Sequence, residues 1–311
     1  MKGWWVRPGV RLLAALILPF AVPLIITALI WSLPGDPAEI ICPPELCGGT
    51  AELAARWNLD HGAWGFYSGW VAQALTGEFG RSWRVHAGEP MSAMLAESIP
   101  NTLKLLALGA LAMAAGTIGA ASNLLPRKAD PFFSAIGLVP AVVLSLLAAA
   151  VIELRFGADS YTPEAELLRL LLGATVLGLA DGALASAISG VRALFTQERT
   201  QRYVGVALLR GEDLLPNMLP NVSPALAGQM RARLLHLLSG TVVVEVVVGI
   251  NGVGDLLWRG TLLQDFGVVL GAATTYALVS AALLMVQAVV EIAVALHVRR
   301  APTGVAMAVA A

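Results

Sequence analysis

Six long apolar runs, separated by polar stretches of very unequal length, dominate this chain. They lie at about residues 10–33, 101–122, 132–154, 165–191, 222–249 and 268–296. Each has roughly the 20 residues that an α-helix needs to cross a hydrocarbon core. The first run starts among basic residues, but it is too long for a signal peptide and has no clear small-x-small cleavage site. It therefore reads as an uncleaved anchor. Pro19 and Pro23 kink it, and it leaves through Ser32-Leu33-Pro34-Gly35-Asp36-Pro37, a sharp turn. Pro140 marks a kink in the third run. Residues 34–100 mix Gly, Pro and Trp with only short helical patterns. The pattern predicts an all-α integral membrane protein of six transmembrane helices. A long segment joins spans one and two, and a polar island at 192–221 joins spans four and five.

Inside that island, Tyr203, Val204, Ala207 and Leu208 recur at i, i+1, i+4 and i+5, the spacing of a short amphipathic helix. Gly211 stops it as a C-terminal breaker. Such a helix, exposed between spans, is a natural handle for a soluble partner; the alternative is that any cytoplasmic loop of this length carries some helix. In the fifth run Gln229, Arg233, His236 and Ser239 are spaced +4, +3 and +3, so they share one helix face. Arg233 lies roughly 18 Å from the inner end at 1.5 Å per residue. Facing lipid there would cost at least about 2.5–3.5 kcal/mol. The stripe is expected to face a polar conduit or a partner, with Leu234 and Leu238 toward lipid. The alternative is that Arg231 and Arg233 snorkel to the inner headgroups. Arg231 sits off the stripe, and Asp181 in the fourth run is its most economical partner. A neutral or paired Asp181 hydrogen-bonded to a neighbouring helix is the other reading of that carboxylate. Further on, Gly252 and Gly254 suit a re-entrant turn, since glycine reaches backbone conformations that other residues do not. A turn at membrane depth is tolerated only where it lines a cavity or is packed in protein.

Composition excludes a soluble domain. Of 311 residues, 57% are hydrophobic and 13% charged, and the mean hydropathy is +0.75. Net charge is −1 and carries little, but its distribution is informative. Lys2, Arg7, Arg11, Arg127, Lys128, Arg192, Arg199, Arg202, Arg210, Arg299 and Arg300 gather on what the positive-inside rule makes the cytoplasmic side. Residues 34–100 carry eight acidic residues against three arginines, as expected of the opposite face. No G-x-x-x-x-G-K-[ST] occurs, so the chain binds no ATP through a P-loop. Cys42 and Cys47 would be free to form a disulfide in an oxidising compartment, a pairing left open by sequence. With His61 or His86 they fit no zinc pattern, so no metal and no cofactor is expected. Trp57, Trp64, Trp70 and Trp83 read as interfacial anchors or local core.

Tyr-Val-x-x-Ala-x-x-x-Gly, ending in Leu-Pro-Asn, resembles the coupling loop of binding-protein-dependent ABC importer permeases. The match is closest to their dipeptide/oligopeptide/nickel branch. The matching positions are Tyr203, Ala207, Gly211, Leu219, Pro220 and Asn221, with Arg192 where the family has an arginine. The interval from Gly211 to Pro220 is shorter than the family's by roughly one helical turn. Leu33-Pro34-Gly35-Asp36-Pro37 resembles the exit of the family's first span. The valine run with Glu245, then Asn251, Gly252 and Gly254, and Asp265 beyond, resembles the family's outer gate, with Asn251 in place of a proline. Gln287 and Glu291 sit where the family has Asn and Asp.

The resemblance implies a permease subunit of an inner-membrane importer that does no covalent chemistry. Residues 1–9 would be a cytoplasmic tail, 10–33 the first span and 34–100 periplasmic. Residues 101–300 would be the permease core and 301–311 a disordered cytoplasmic tail. Its implied partners are a second homologous permease, two ABC ATPase subunits that hydrolyse the ATP, and a periplasmic or lipid-anchored binding protein, all in membrane lipid and with no nucleic acid. Oligopeptides are the expected solute.

Two rivals share some of the residues. Gly252-Val253-Gly254-Asp255 matches the GxGD signature of intramembrane aspartyl proteases, but the expected Tyr-Asp on a preceding span is missing. An ion-coupled secondary transporter would use Asp181, Arg233, His236 and Glu291 as a proton relay. It would leave the coupling loop unexplained. The predicted orientation is open to a direct check. With Cys42 and Cys47 replaced by serine, a membrane-impermeant thiol reagent is expected to label cysteines placed within 34–100 in intact cells, and Arg202→Cys only after permeabilisation. Labelling of Arg202→Cys in intact cells would reverse the topology.

Overall fold

The computed structural model describes residues 6–41, 50–122, 124–159 and 162–300. The Cys42–Cys47 pair and the tail at 301–311 lie outside the described residues. Those described are helical apart from turns and one isolated bridge between Arg81 and Pro90. In order, the helices are α1 (Val6–Ser32), α2 (Pro37–Ile41), α3 (Thr50–Arg56), α4 (Gly62–Ala74) and α5 (Met91–Ala121). They continue with α6 (Asp130–Ile136), α7 (Ala141–Phe156), α8 (Pro163–Leu179), α9 (Ala183–Arg199) and α10 (Arg202–Leu209). The last three are α11 (Leu214–Val248), α12 (Val253–Leu262) and α13 (Phe266–Arg300). Among these residues four helical stretches are long and apolar enough to span a membrane. The count rises to six if the bent pairs α6–α7 and α11–α12 are each one span.

Helix α11 is the axis of the fold: it touches α5, α7, α8, α9, α10, α12 and α13. Around it Leu105 and Met113 of α5, Leu177 of α8, Ile188 of α9, and Leu237 and Val244 of α11 form the largest apolar core. Helix α1 lies outside this bundle along α13, where Arg11 forms an ion pair with Glu291. Leu16, Ile17 and Leu29 of α1, Leu111 and Ile118 of α5, and Val286 and Val289 of α13 remain exposed. Apolar side chains left outside so many helices fit hydrocarbon, not water.

The structure moves several expected boundaries. Helix α5 begins at Met91, ten residues before the expected 101, and carries Pro100 inside it. Met91, Met94, Leu95 and Ser98 are buried at helical spacing, the first three against Val253, Leu256, Val268 and Ala272. That packing outweighs the one hydrogen bond lost at an exposed proline. Helix α11 likewise starts at Leu214 rather than 222, with Pro220 and Pro224 inside it. Pro140 does more than kink the third run: α6 and α7 meet at 82°. The fourth run is also broken, by a short 3-10 turn at Ala180–Gly182.

These two breaks meet. A Cβ on Gly137 would lie 2.7 Å from the Gly182 Cα, so only glycine permits the crossing. Asp181, with φ +51°, is in the left-handed region that Asp tolerates better than most residues. Its backbone N–H reaches the Val139 carbonyl at 3.3 Å, and its carboxylate accepts the Ala141 N–H at 3.2 Å. Asp181 is thus the cap of the helix start after Pro140. It forms no ion pair with Arg231, contrary to the charge-based expectation, because an adjacent helix N-terminus already supplies a donor. Asp181→Asn is expected to keep near-native stability. Asp181→Val, lacking an acceptor and β-branched at positive φ, should cost about 1–3 kcal/mol. Gly137→Ala is expected to cost about 1–3 kcal/mol through overpacking. Thermal unfolding of the detergent-solubilised protein measures all three.

Candidate functional site

The α11–α12 turn is built on a fully buried carboxylate. One oxygen of Glu245 accepts the Thr102 hydroxyl at 2.7 Å. The other accepts the N–H groups of Gly254 at 2.7 Å and Asp255 at 3.2 Å, at the start of α12. Thr102 in turn accepts the Val253 N–H at 2.8 Å. One acid and one hydroxyl thus take up the first donors of a helix that points into protein. Gly249 ends α11 with φ +79°. Gly252 does not serve by backbone freedom as expected, since its φ of −114° is ordinary. It serves by space: a Cβ there would lie 2.3 Å from the Glu245 carboxyl. A Cβ on Gly254 would lie 2.6 Å from the Val242 Cα and 2.8 Å from both Glu245 and the Tyr276 hydroxyl. Asn251 is exposed at the tip of the turn, where its carbonyl accepts the Asn101 amide at 3.0 Å.

Asp265 is the second buried carboxylate. A single oxygen accepts the Ser82 hydroxyl at 2.6 Å and the N–H groups of Trp83, Arg84 and Val85 at 2.7–2.9 Å. Three successive N–H groups aimed at one oxygen form a backbone nest for an anion. The other oxygen caps α13 through the Val268 N–H at 3.2 Å. Residues 82–85 belong to the long segment between α1 and α5, so this acid pins that segment to the α12–α13 turn. Beside it Trp57, Phe66, Trp70 and Trp83 form local core with Phe266, while Trp64 is 69% exposed. Sequence reasoning missed Ser82–Val85, because backbone donors carry no residue-type signal.

The polar stripe of α11 is brought together only in part. His236 and Ser239 are exposed, while Gln229 and Arg233 are half-buried. Gln229 packs close to Gly190 of α9. Ala225, Ala232, His236 and Ser239 form the exposed line along the middle of the helix. Leu234 and Leu238 do not face lipid: Leu238 is buried in the central core and Leu234 packs against it. The relay residues of the rival transporter are not assembled. Asp181 caps α7, and Glu291 is held by Arg11 and by the Gln287 amide at 3.1 Å.

Helix α10 forms where the periodicity placed it, and Gly211 follows it at φ +71°. Val204 and Ala207 are buried, Val204 against Val191, Phe195, Met218 and Val222 of α9 and α11. Tyr203 donates to the Glu198 carboxylate. Desolvation first, then that hydrogen bond, pushes its pKa up to about 12, with Asn221 acting in the opposite sense. The expected apolar face is therefore turned mainly onto the chain itself. Val206, Leu208 and Leu209 are left exposed, Leu209 at 90%. Leu219, Pro220 and Asn221 lie in α11 and not in a loop. Arg192 of α9 meets Asp130, the first residue of α6, at 2.9 Å and the Leu125 carbonyl in the α5–α6 connection at 2.7 Å.

Residues 112–301, which hold the α11–α12 turn, the stripe and α10, match the model of the binding-protein-dependent transport system inner membrane component. The chain belongs to this family. It is similar to the glutathione transport system permease protein GsiC of Escherichia coli (strain K12), at 27% identity over 83% of this chain and 87% of the relative. GsiC of Shigella boydii gives the same figures. A putative peptide permease protein of Brucella ovis is 28% identical over 84% of this chain and 89% of the relative. As a binding-protein-dependent permease, the chain is a multi-pass membrane subunit and not an enzyme; ATP hydrolysis belongs to separate subunits.

The glycine contacts around Glu245 generate a prediction. Gly252→Ala and Gly254→Ala are each expected to destabilise the protein by about 1–3 kcal/mol, by forcing the carboxylate off its donors. Thermal unfolding should show the loss, with Gly205→Ala, where a Cβ meets open space, costing little or nothing.

Proposed function

We propose that this permease forms half of the translocation passage of an importer for oligopeptide-like solutes, with α10 as the point of force transfer from the ATPases. The family match supports the importer, and the names of the relatives support the solute class. A second homologous permease, two ATPase subunits and a periplasmic or lipid-anchored binding protein complete the assembly. Both termini are cytoplasmic in this reading, as the distribution of basic residues supports.

The observation that carries the proposal is the seating of α10. Its buried side is anchored on α9 and α11, while Val206, Leu208 and Leu209 face outward beside Arg202 and Arg210. A push on those apolar residues moves α11 directly. Helix α11 is continuous for 35 residues, roughly 52 Å, and ends at Glu245 and the α12 turn. Closure of the ATPases would thus tilt the exposed line of α11 and the turn together, a rigid-element transition. Tyr203, Ala207, Gly211 and Asn221 hold α10 in register, while Gln229, Arg233, His236 and Ser239 lie along the passage. Glu245, Asn251, Gly252, Gly254 and Asp265 form its outer gate.

The test uses the purified complex with its binding protein. Peptides are expected to stimulate ATP hydrolysis more than nickel chelates or other solutes do. Leu208→Asp with Leu209→Asp, both at exposed sites, should cut the stimulated rate at least tenfold while the protein still inserts. Gly211→Val, strained at positive φ by roughly 1 kcal/mol or more, should weaken ATPase co-purification. Full stimulation in these variants, or transport abolished by a proton uncoupler and indifferent to ATP, would overturn the proposal.

A further inference from the structure

The middle of α11 carries cations with no matching anions. Between Leu214 and Val244 the helix has Arg231, Arg233 and His236 and no acidic residue. Arg231 stands at the midpoint of the helix, equidistant from Leu214 and Val248. Arg233 lies roughly 28 Å along the helix from its start. Among the described residues neither arginine has an ion pair or a hydrogen-bond partner, and the Nε of Arg231 is buried without one.

The acids on neighbouring helices are committed or distant. Asp181 caps α7, Glu245 caps α12 and Glu291 pairs with Arg11. Asp255 pairs with Arg259 at 2.8 Å, and Glu198 accepts from Tyr203. Glu97, Glu153, Glu164 and Glu166 are exposed toward the ends of α5, α7 and α8. An arginine at this depth is costly unless water or an anion meets it. Arg233 adjoins Ala232 and stands one turn from His236, both on the exposed line.

We infer that the middle of α11 gives the passage a positive potential that draws and holds an anionic group of the passing solute, in the first instance a carboxylate. This rests on the reading that the exposed line of α11 faces the passage. A guanidinium presents a planar fork of donors that a carboxylate matches with two hydrogen bonds. Selection for an acidic or free-carboxylate peptide would then be exerted by the permease itself, in addition to any choice made by the binding protein.

The experiment places Ser239→Cys in the complete complex, with Cys42 and Cys47 replaced by serine. Modification rates are measured for an anionic sulfonatoethyl and a cationic trimethylammonioethyl methanethiosulfonate, each normalised to its rate with a free thiol. The normalised ratio is expected to favour the anion roughly tenfold, since opposite unit charges in a potential of about 1 kT differ by about 2 kT. It should fall several-fold when Arg231→Gln and Arg233→Gln are added. A ratio of one or less, a ratio unmoved by the two changes, or a thiol unreactive to both reagents overturns the inference. In parallel, the uptake ratio of a free-carboxylate tripeptide to its C-terminal amide should fall with the arginine changes. Equal loss of both peptides would make the arginines structural and overturn it as well. Absence of any peptide uptake alongside an anion-favouring, arginine-dependent thiol ratio would sink the oligopeptide reading and uphold the inference.

Discussion

The hydrogen bonds of the Glu245 carboxylate are the constraint on which the α11–α12 region depends. A carboxylate with no exposed surface carries a heavy desolvation cost unless every lone pair is met by a well-placed donor. Here the donors come from Thr102 on α5 and from the first turn of α12. The need to bring that turn against the acid dictates glycine at 252 and 254, since a side chain at either would occupy the acid's own space. It also brings α5 and α11 together, through one hydroxyl that bridges the carboxylate and the Val253 N–H. Asp265 applies the same device one turn of chain further on, with backbone donors of residues 83–85 in place of helix donors.

Much of this was legible in the sequence where residue types recur at a fixed spacing. The short helix after Gln201 and the stop at Gly211 could be read that way, whereas Glu245 and Asp265 stood out only through the resemblance to the family's outer gate, and Gly252 and Gly254 through that resemblance and glycine's backbone freedom. What Glu245 and Asp265 bind could not be read, because their partners are mostly peptide N–H groups common to every residue. The role of the glycines was legible in kind but not in cause: close approach requires them, not unusual dihedral angles. Pro100 and Pro220 looked like boundaries and are not. Packing of Met91, Met94 and Leu95, and of Met218, outweighs what a proline removes. For Asp181 the sequence left two readings, an arginine partner or a hydrogen bond to a neighbouring helix, and the structure gives the second, at the helix start that follows Pro140.

The described residues of the segment between α1 and α5 form more packed structure than its irregular composition implied. Its tryptophans, Trp64 aside, pack with one another and with Phe266 and Leu270. The Asp265 nest fixes the end of that cluster to the membrane bundle. At Gly267 the Arg81 carbonyl comes within 2.2 Å of where a Cβ would stand, so the two parts touch through backbone. Motion of the α12–α13 turn is therefore motion of the outer cluster too.

The ion pair between Arg11 and Glu291 has a consequence for biogenesis. Its two members are 280 residues apart in the chain, and α1 packs along α13 more extensively than any other pair of helices. At a synthesis rate of about 5–20 residues per second, the first helix waits on the order of 15–55 s for its partner to be made. Through that interval Arg11 lacks its counter-charge and one flank of α1 lacks its cover. Helix α1 finds its cover on α13, outside the central bundle, so these two helices cannot reach their final packing until α13 has been translated.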